Sequence, residues 1–367
     1  MQKQYPILIF AQSARFIAES ATRGGYTVWV ADCFCDTDTV QLAERATQLP
    51  PLAELNQELI LETLQQLSHG ERCYLVVGTG VERFYPLLAT LPDHIIPLGN
   101  NSQTLARLRQ ASQFFPLLDN LALPHPEISW SMPSTAADDW LQKDLSCCGG
   151  SGIIPATIAQ DKKGVFYQHR VKGISASVSF IANGKQAQIL AINEQINRQA
   201  SFALAYIVSP LCLTAKLELA LSRALNAICG ATGMKGLGSL DLLIDSNDHF
   251  YILELNPRFS ASFELLPEQN MLFTWYFHAC HGQLPDKRTR QPQGIRMLSY
   301  LYGDKTGHIM DQPNWPEQCH DLPKAGTLIE TGAPICSILV KAETRAGCFQ
   351  KLAHTQQLAL QNLLPCS

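Results

Sequence analysis

Residues 236–258 read GLGSLDLLIDSNDHFYILELNPR and hold two acids and an amide at a spacing suited to a hard cation. Asp241 lies in one β-rich run and Glu254 and Asn256 in the next, with Ser246, Asn247 and Asp248 as a hairpin-type turn between them. Side chains two apart on a strand face the same way, so Glu254 and Asn256 point together, and if the runs pair Asp241 reaches that face. Oxygen donors gathered in this way suit Mg2+, which keeps part of its water and takes phosphate oxygens as further ligands. A lone acid in a hairpin is ordinarily a solvated side chain. Here Leu253, Leu255 and Pro257 flank the acid and amide, and a carboxylate in apolar company needs a cation or a donor. Arg258 follows at once; its planar fork fits phosphate oxygens, and it equally fits a counter-ion to Glu254.

A second set comes earlier. Lys143 precedes a run of small residues that includes Ser146, Gly149, Gly150, Ser151 and Gly152. Small residues let backbone N–H groups approach a phosphate, and the lysine adds a point charge. The spacing is not that of a Walker P-loop, and alone such a run is a flexible turn. Weaker candidates for contact with a substrate are Asn193 and Gln195 at a strand end, Ser260 and Ser262 after Arg258, and Arg15 after the first strand, where open α/β sheets bind ligands. Each also has a plain reading as a solvated loop, a satisfied turn or a salt bridge on a helix face. No Ser-His-Asp or Cys-His set stands out, and His278 and His281 read as helix-end or core histidines.

The elements that must hold these residues begin with a βαβ pattern: a strand at 7–10, a helix at 14–22, a Gly24-Gly25 stop and a strand at 27–31. A helix at 55–67 and strands at 73–77 and 95–97 complete a small parallel-sheet lobe over 1–97. A helical stretch from Ser102 runs to the break at Pro124 and Pro126. Antiparallel strands are then expected at 164–183 and 185–192, a long helix at 214–231, and a final helix at 342–363. The expected division is 1–97, then 98–285 with a glycine-rich lid part at 126–192 and a metal-binding part at 193–285, then 286–367, with 286–294 as a linker. This is α/β followed by α+β architecture.

Composition removes several function classes. A formal net charge of −4 gives no basic field for nucleic acid. No apolar run approaches a bilayer span, and the first is too short for a signal segment, so a cytoplasmic protein is expected. Twelve cysteines without a C-x-x-C pair read as reduced thiols rather than a zinc frame. The opening βαβ unit, with Asp32 closing its second strand, invites a dinucleotide-dependent oxidoreductase, but residues 11–15 lack the G-x-G-x-x-G turn.

Taken in order, Lys143, the loop at 146–152, residues 167–173, Asp241 and the ELNPR of 254–258 resemble the ATP-grasp superfamily, most closely its uncharacterised carboxylate-amine ligase branch, which similarly carries a G-x-P-x-C run, here at 332–336. The resemblance covers most of the chain and is specific at 236–258. It implies ATP-grasp architecture: an N-terminal parallel-sheet lobe, central ATP-grasp lobes and a small β-rich C-terminal segment. It further implies that Lys143 and the loop hold ATP phosphates, that Gln168, His169, Arg170 and Val171 form the adenine-side hinge, and that Asp241, Glu254 and Asn256 bind Mg2+, with Mn2+ as a substitute. Arg258 then meets the transferring phosphoryl group, and the small-molecule partners are a carboxylate and an amine; a homodimer is an allowed assembly. The chain departs from the pattern where an earlier nucleotide-binding lysine is usual, since Arg109 stands there, and where His169 replaces a hinge acid. Those departures keep open a non-catalytic ATP-binding relative, and a carboxylase acting through carboxyphosphate shares every residue named.

Overall fold

The computed structural model describes residues 5–366 except 134–138, 145–149, 151, 160–163, 199–200, 268 and 287–292. The chain opens with β1 (Ile7–Ala11), α1 (Arg15–Arg23), β2 (Val28–Asp32), α2 (Thr37–Leu42), β3 (Arg45–Gln48), α3 (Gln57–Ser68), β4 (Cys73–Val77) and β5 (Ile95–Pro97). Its five strands pair in parallel in the order β3-β2-β1-β4-β5. The near-continuous apolar runs of β1 and β2 follow from burial on both faces. Ile7 and Ile9 point toward α1, whereas Leu8 and Phe10 point toward α3.

Two helices, α4 (Ser102–Arg109) and α5 (Ala111–Asn120), lead out of this lobe. The single stretch expected from Ser102 is broken at Gln110, whose extended backbone ends α4 and leaves Arg109 as the last residue of that helix. A small antiparallel sheet follows, with β6 (Ile128–Ser129), β7 (Trp140–Asp144), β8 (Ile153–Pro155) and β9 (Val165–His169) in the order β6-β9-β7-β8. The chain then enters a larger sheet through β10 (Ile174–Asn183), β11 (Ala187–Asn197), β12 (Leu204–Ser209), α6 (Ala215–Thr232), β13 (Lys235–Ile244) and β14 (Phe250–Asn256). The run expected at 164–183 is therefore two strands in different sheets. They are separated at residues 170–173, where a Cβ on Gly173 would lie 2.4 Å from the Ile244 carbonyl oxygen, so only glycine lets the chain cross the end of β13.

After α7 (Gln269–Cys280) come β15 (Ile295–Tyr302), β16 (Gly307–Ile309), β17 (Cys319–His320), β18 (Leu328–Ile329), β19 (Pro334–Ala342), α8 (Arg345–Leu360) and β20 (Leu363–Pro365). Strands β15, β19 and β17 extend the larger sheet, whose order is β14-β13-β10-β11-β12-β15-β19-β17. The C-terminal segment thus shares a sheet with the central part. The final helix is shorter than expected because Thr344 caps it, its hydroxyl accepting from the Gly347 N–H. One face of the larger sheet meets α5 and α6 through Val178, Phe180, Leu240, Leu242, Leu255 and their neighbours. The opposite face is where the polar residues collect.

Candidate active site

A cleft of about 590 Å³ lies between the larger sheet, the small sheet and α4. Its floor is the β13–β14 hairpin. Asp241 pairs directly with Glu254 and Ser239 with Asn256. A bulge makes this register hold. Counted strictly from the fully buried Ile252, Glu254 would share the core face, but Leu253 is an extra residue opposite β13 and turns Glu254 to the cleft beside Asp241.

The Asn256 amide ties the two acids together, Nδ2 donating to Asp241 Oδ2 at 3.3 Å and to Glu254 Oε1 at 3.2 Å. Its Oδ1 accepts from Arg109 Nη1 at 2.7 Å and Arg258 Nη2 at 3.3 Å. On the other side Gln195 Nε2 donates to Asp241 Oδ1 at 3.2 Å, and Ser175 orients Gln195 from 3.2 Å. The Glu254 side chain is 49% exposed to the open cleft while Arg109 stands 3.6 Å away. Burial, then the charge of Glu254, pushes Asp241 well above the usual carboxylate range. Burial pushes Glu254 up as well, but Arg109 and then Lys143 outweigh it and hold Glu254 low. Asp241 therefore binds a proton more tightly than an isolated acid would. A divalent cation between the two would take that proton's place, and an all-oxygen pair open to the cleft suits Mg2+. In the present arrangement Asn256 presents its nitrogen to the acids, so it acts as their clamp; its oxygen faces the arginines.

Lys143 projects from β7 into the same cleft, and burial lowers its pKa against the opposing pull of Glu254 and Asp241. Gly150 and Gly152 line the cleft too. A Cβ on Gly150 would lie 1.9 Å from the Phe202 carbonyl oxygen, and its φ of +80° is left-handed, so glycine is required twice over. Ser146, Gly149 and Ser151 lie outside the described residues. Gln168 faces the cleft from β9, and His169, Arg170 and Val171 line it as well. The His169 ring turns to the other face of the small sheet and meets Trp140 edge-on at 5.5 Å.

Arg258 is anchored more firmly than its sequence suggests. Its Nε donates to Glu82 at 2.6 Å and its Nη1 to the Phe259 carbonyl at 3.1 Å, and it is 9% exposed. Glu82, the first residue of a 3-10 helix that follows β4, is held below the ordinary carboxylate range because Arg258 and Arg109 outweigh its burial. Tyr85 lies in the field of these three charges, its hydroxyl without a hydrogen-bond partner among the described residues. Neither Glu82 nor Tyr85 has a sequence signature; a lone acid and a tyrosine after a strand look like surface turn residues. Ser260 and Ser262 do line the cleft, their hydroxyls 2.8 Å from Ser239 and 2.9 Å from Ser179. Asn193 lies fully buried beneath that floor, donating to Ser179 at 3.1 Å, and is not part of the lining.

Arg15 is not brought to the cleft. It is 2% exposed and bonded to Glu264 at 2.6 Å and to Asp321 and Glu19 at 3.1 Å each, so its charge is spent within the protein. Asp32 is likewise turned inward, accepting from the Ala14 N–H at 2.9 Å at the start of α1 and from the Cys35 N–H. The acid at the end of β2 is thus committed to backbone groups of the protein, against the oxidoreductase reading. Among the described residues no group of three or more His, Cys, Asp or Glu could hold a metal ion, so an ion at Asp241 and Glu254 would rely on phosphate and water for its remaining ligands. No helix among them is long and apolar enough to cross a membrane.

Comparison with known proteins follows the same lines. Residues 112–262 match the ATP-grasp domain family. The chain is 20% identical over 362 residues to an uncharacterised protein of Methanocaldococcus jannaschii, covering 92% of this chain and 89% of that one. Among solved structures it is similar to an L-amino acid ligase from Bacillus licheniformis, with a TM-score of 0.72 at 14% identity over 100% of both chains. It is also similar to a biotin carboxylase from Campylobacter jejuni in a βγ-ATP complex, with a TM-score of 0.70 at 15% identity over 97% of this chain and 91% of that chain. The opposed acids, Lys143 on β7 and the glycines lining the cleft thus sit in a chain that has the ATP-grasp fold and whose residues 112–262 match the ATP-grasp domain family.

Proposed function

We propose that this protein is an ATP- and Mg2+-dependent ligase that joins a carboxylate to an amine through an acyl phosphate, releasing ADP and phosphate. The observation that carries the reading is the opposed pair Asp241 and Glu254, clamped by Asn256 on the floor of a cleft that Lys143 and Arg109 also enter. Mg2+ held by the two acids would neutralise charge on the β- and γ-phosphates. Lys143 and Arg109 hold the phosphates from the lid and from the end of α4, and the backbone at Gly150 and Gly152 closes over them. The hinge from Gln168 to Val171 takes the base. Substrate carboxylate oxygen attacks the γ-phosphorus, the bond to the β–γ bridging oxygen breaks, and ADP leaves. The amine then adds to the acyl carbon, loses a proton and displaces phosphate. Arg258, its orientation fixed by Glu82, stabilises the charge that develops at the transferring group. Ser260 and Ser262 offer hydroxyls to the substrate side. Catalysis of this kind rests on positioning and charge, which is why no side-chain nucleophile is needed.

The test offers the protein with Mg2+ and ATP to pools of carboxylates and amines. ADP should appear only when a matching pair is present, and Glu254→Gln should cut that rate by at least a thousandfold while leaving the circular dichroism spectrum unchanged. Turnover by the variant at the wild-type rate would remove the acids from the mechanism. ADP release with bicarbonate alone would assign the carboxylase chemistry instead, and ATP binding without any turnover a non-catalytic module.

A further inference from the structure

Cys336 closes the G-x-P-x-C run at 332–336 and lies outside the cleft lining. Its neighbour across the sheet is another cysteine. Cys319 of β17 pairs with Ile338, two residues along β19 from Cys336, so period-two spacing puts Cys319, Ile338 and Cys336 on one face. All three are buried in the same apolar cluster, with Cys319 5% and Cys336 3% exposed. The two cysteine side chains share a hydrogen bond, the Cys336 thiol donating to the Cys319 sulfur. That contact lowers the pKa of Cys319 against its burial and raises that of Cys336, so the first proton comes off Cys319. Cys33 and Cys35 differ, since burial and then Asp32 push their thiols up to about 11 and about 12. A thiolate touching a second thiol is what thiol–disulfide exchange requires.

The fold also supplies a way in. Strand β17 is two residues long and is the last strand of the larger sheet, held there by its pairing with β19. A short edge strand opens at a small cost in free energy, which uncovers both thiols while the rest of the sheet stays folded. Just beyond Cys319 lies Asp321, which accepts from Ser13 and Arg15 of the first lobe and from Ser337, the residue after Cys336. The cysteine pair thus flanks the point where the C-terminal segment is fastened to that lobe.

We propose that Cys319 and Cys336 are a reversible dithiol–disulfide pair, oxidised by a low-molecular-weight disulfide such as glutathione disulfide, and that the bond locks β17 onto β19 and so tightens the fastening of the C-terminal segment. The Cys319 thiolate attacks one sulfur of the oxidant, whose S–S bond breaks, and the first small thiolate leaves and takes up the proton that Cys319 has lost. Cys336 then gives up its proton, its sulfur attacks the Cys319 sulfur of the mixed disulfide, and the second small thiolate leaves with that proton. Two protein thiols are oxidised, and one small disulfide is reduced to two thiols.

The experiment incubates the intact, folded protein with glutathione disulfide, quenches in acid, alkylates the remaining thiols and maps every cysteine by mass spectrometry. A Cys319–Cys336 cross-link that dithiothreitol reverses is expected. Cys336→Ala should leave glutathione attached to Cys319, because the thiol that displaces it is gone. The exposed Cys212 and Cys366 report that the oxidant was active. Cys319 and Cys336 both alkylated while those two carry glutathione overturns the proposal, and this wild-type result decides even if the variant fails to fold. In the cross-linked protein, hydrogen exchange at the Asp321 and Leu322 amides, which donate to Asp38, should slow by about tenfold and recover on reduction. Exchange that the cross-link leaves unchanged overturns the tightened fastening.

Discussion

At the scale of single residues, the site works by opposing charges that would each be unfavourable alone. Arg109 and Arg258 both donate to Asn256 Oδ1, which places two guanidinium groups side by side behind the acids. Glu82 makes that arrangement tenable, with its side chain 14% exposed and that of Arg258 8% exposed. Removing one partner of a buried pair leaves the other uncompensated, a loss of about 3 kcal/mol. Glu82→Ala should therefore lower stability by about that amount at neutral pH, measured by urea unfolding, and Glu82→Gln by less, because its amide oxygen still accepts from Arg258 Nε. The sign with pH follows from the lowered pKa of Glu82. A carboxylate whose folded pKa lies below its unfolded value stabilises fully above the unfolded value, about 4.3, and loses that contribution as pH falls through the folded one. The gap between wild type and Glu82→Gln should thus be constant above about pH 5 and close in acid. A gap that widened in acid would mean that Glu82 is not the partner of Arg258.

At the scale of elements, the strands and helices follow from patterns visible in the chain, and the joints between them do not. The β13–β14 hairpin with its two facing acids was legible, because period-two spacing and a turn-forming Ser246-Asn247-Asp248 suffice to pair the strands. The bulge at Leu253 was not, since apolar residues stand at 252, 253 and 255 and alternation alone cannot say which is extra. The same holds at 170–173, where β9 passes into β10. Apolar and polar residues alternate on both sides, yet the strands belong to different sheets, and the signal is a single glycine. The place of Arg109 depends on α4 stopping at Gln110, a break that no proline or glycine marks. The hinge at Gly173 gives an element-scale prediction. Gly173→Ala would bring a methyl group to 2.4 Å of the Ile244 carbonyl oxygen, and backbone on both sides must shift. Overpacking of this kind costs about 1–3 kcal/mol. Because β9 leads into the segment proposed above to take the base, ATP affinity should fall as well, by about tenfold in a calorimetric titration. Unchanged affinity in a destabilised variant would separate the hinge from the nucleotide.

At the scale of the whole molecule, the C-terminal segment is bound to the first lobe by a buried ionic cluster away from the cleft. Asp321, between β17 and β18, accepts from Arg15 and Ser13 of the first lobe and from Ser337 of β19, while the backbone N–H groups of Asp321 and Leu322 donate to Asp38. Glu264, just beyond the cleft serines, completes the set at 2.6 Å from Arg15. Acids outnumber cations here, and their responses differ. Asp321 is held low because Arg15 and the hydroxyls outweigh its burial, whereas burial takes Glu264 up to about 7 despite Arg15. The consequence for Glu264 has the opposite sign to that for Glu82. A carboxylate with a raised folded pKa binds its proton more tightly in the native state, so stability falls as pH rises from the unfolded value of about 4.3 toward the folded one. Replacing Glu264 with Gln, which resembles the protonated form, should remove that decline. The difference between the wild-type and Glu264→Gln unfolding free energies should then shift in favour of the variant between about pH 4.3 and about 7, by as much as about 3 kcal/mol. Asp32, Asp36, Asp38 and Asp321 titrate in both proteins, so their contributions largely cancel in the difference. Urea titrations at half-unit steps of pH measure it directly. A difference independent of pH would mean that Glu264 is ionised throughout, with the Arg15 charge rather than burial governing this contact between lobes.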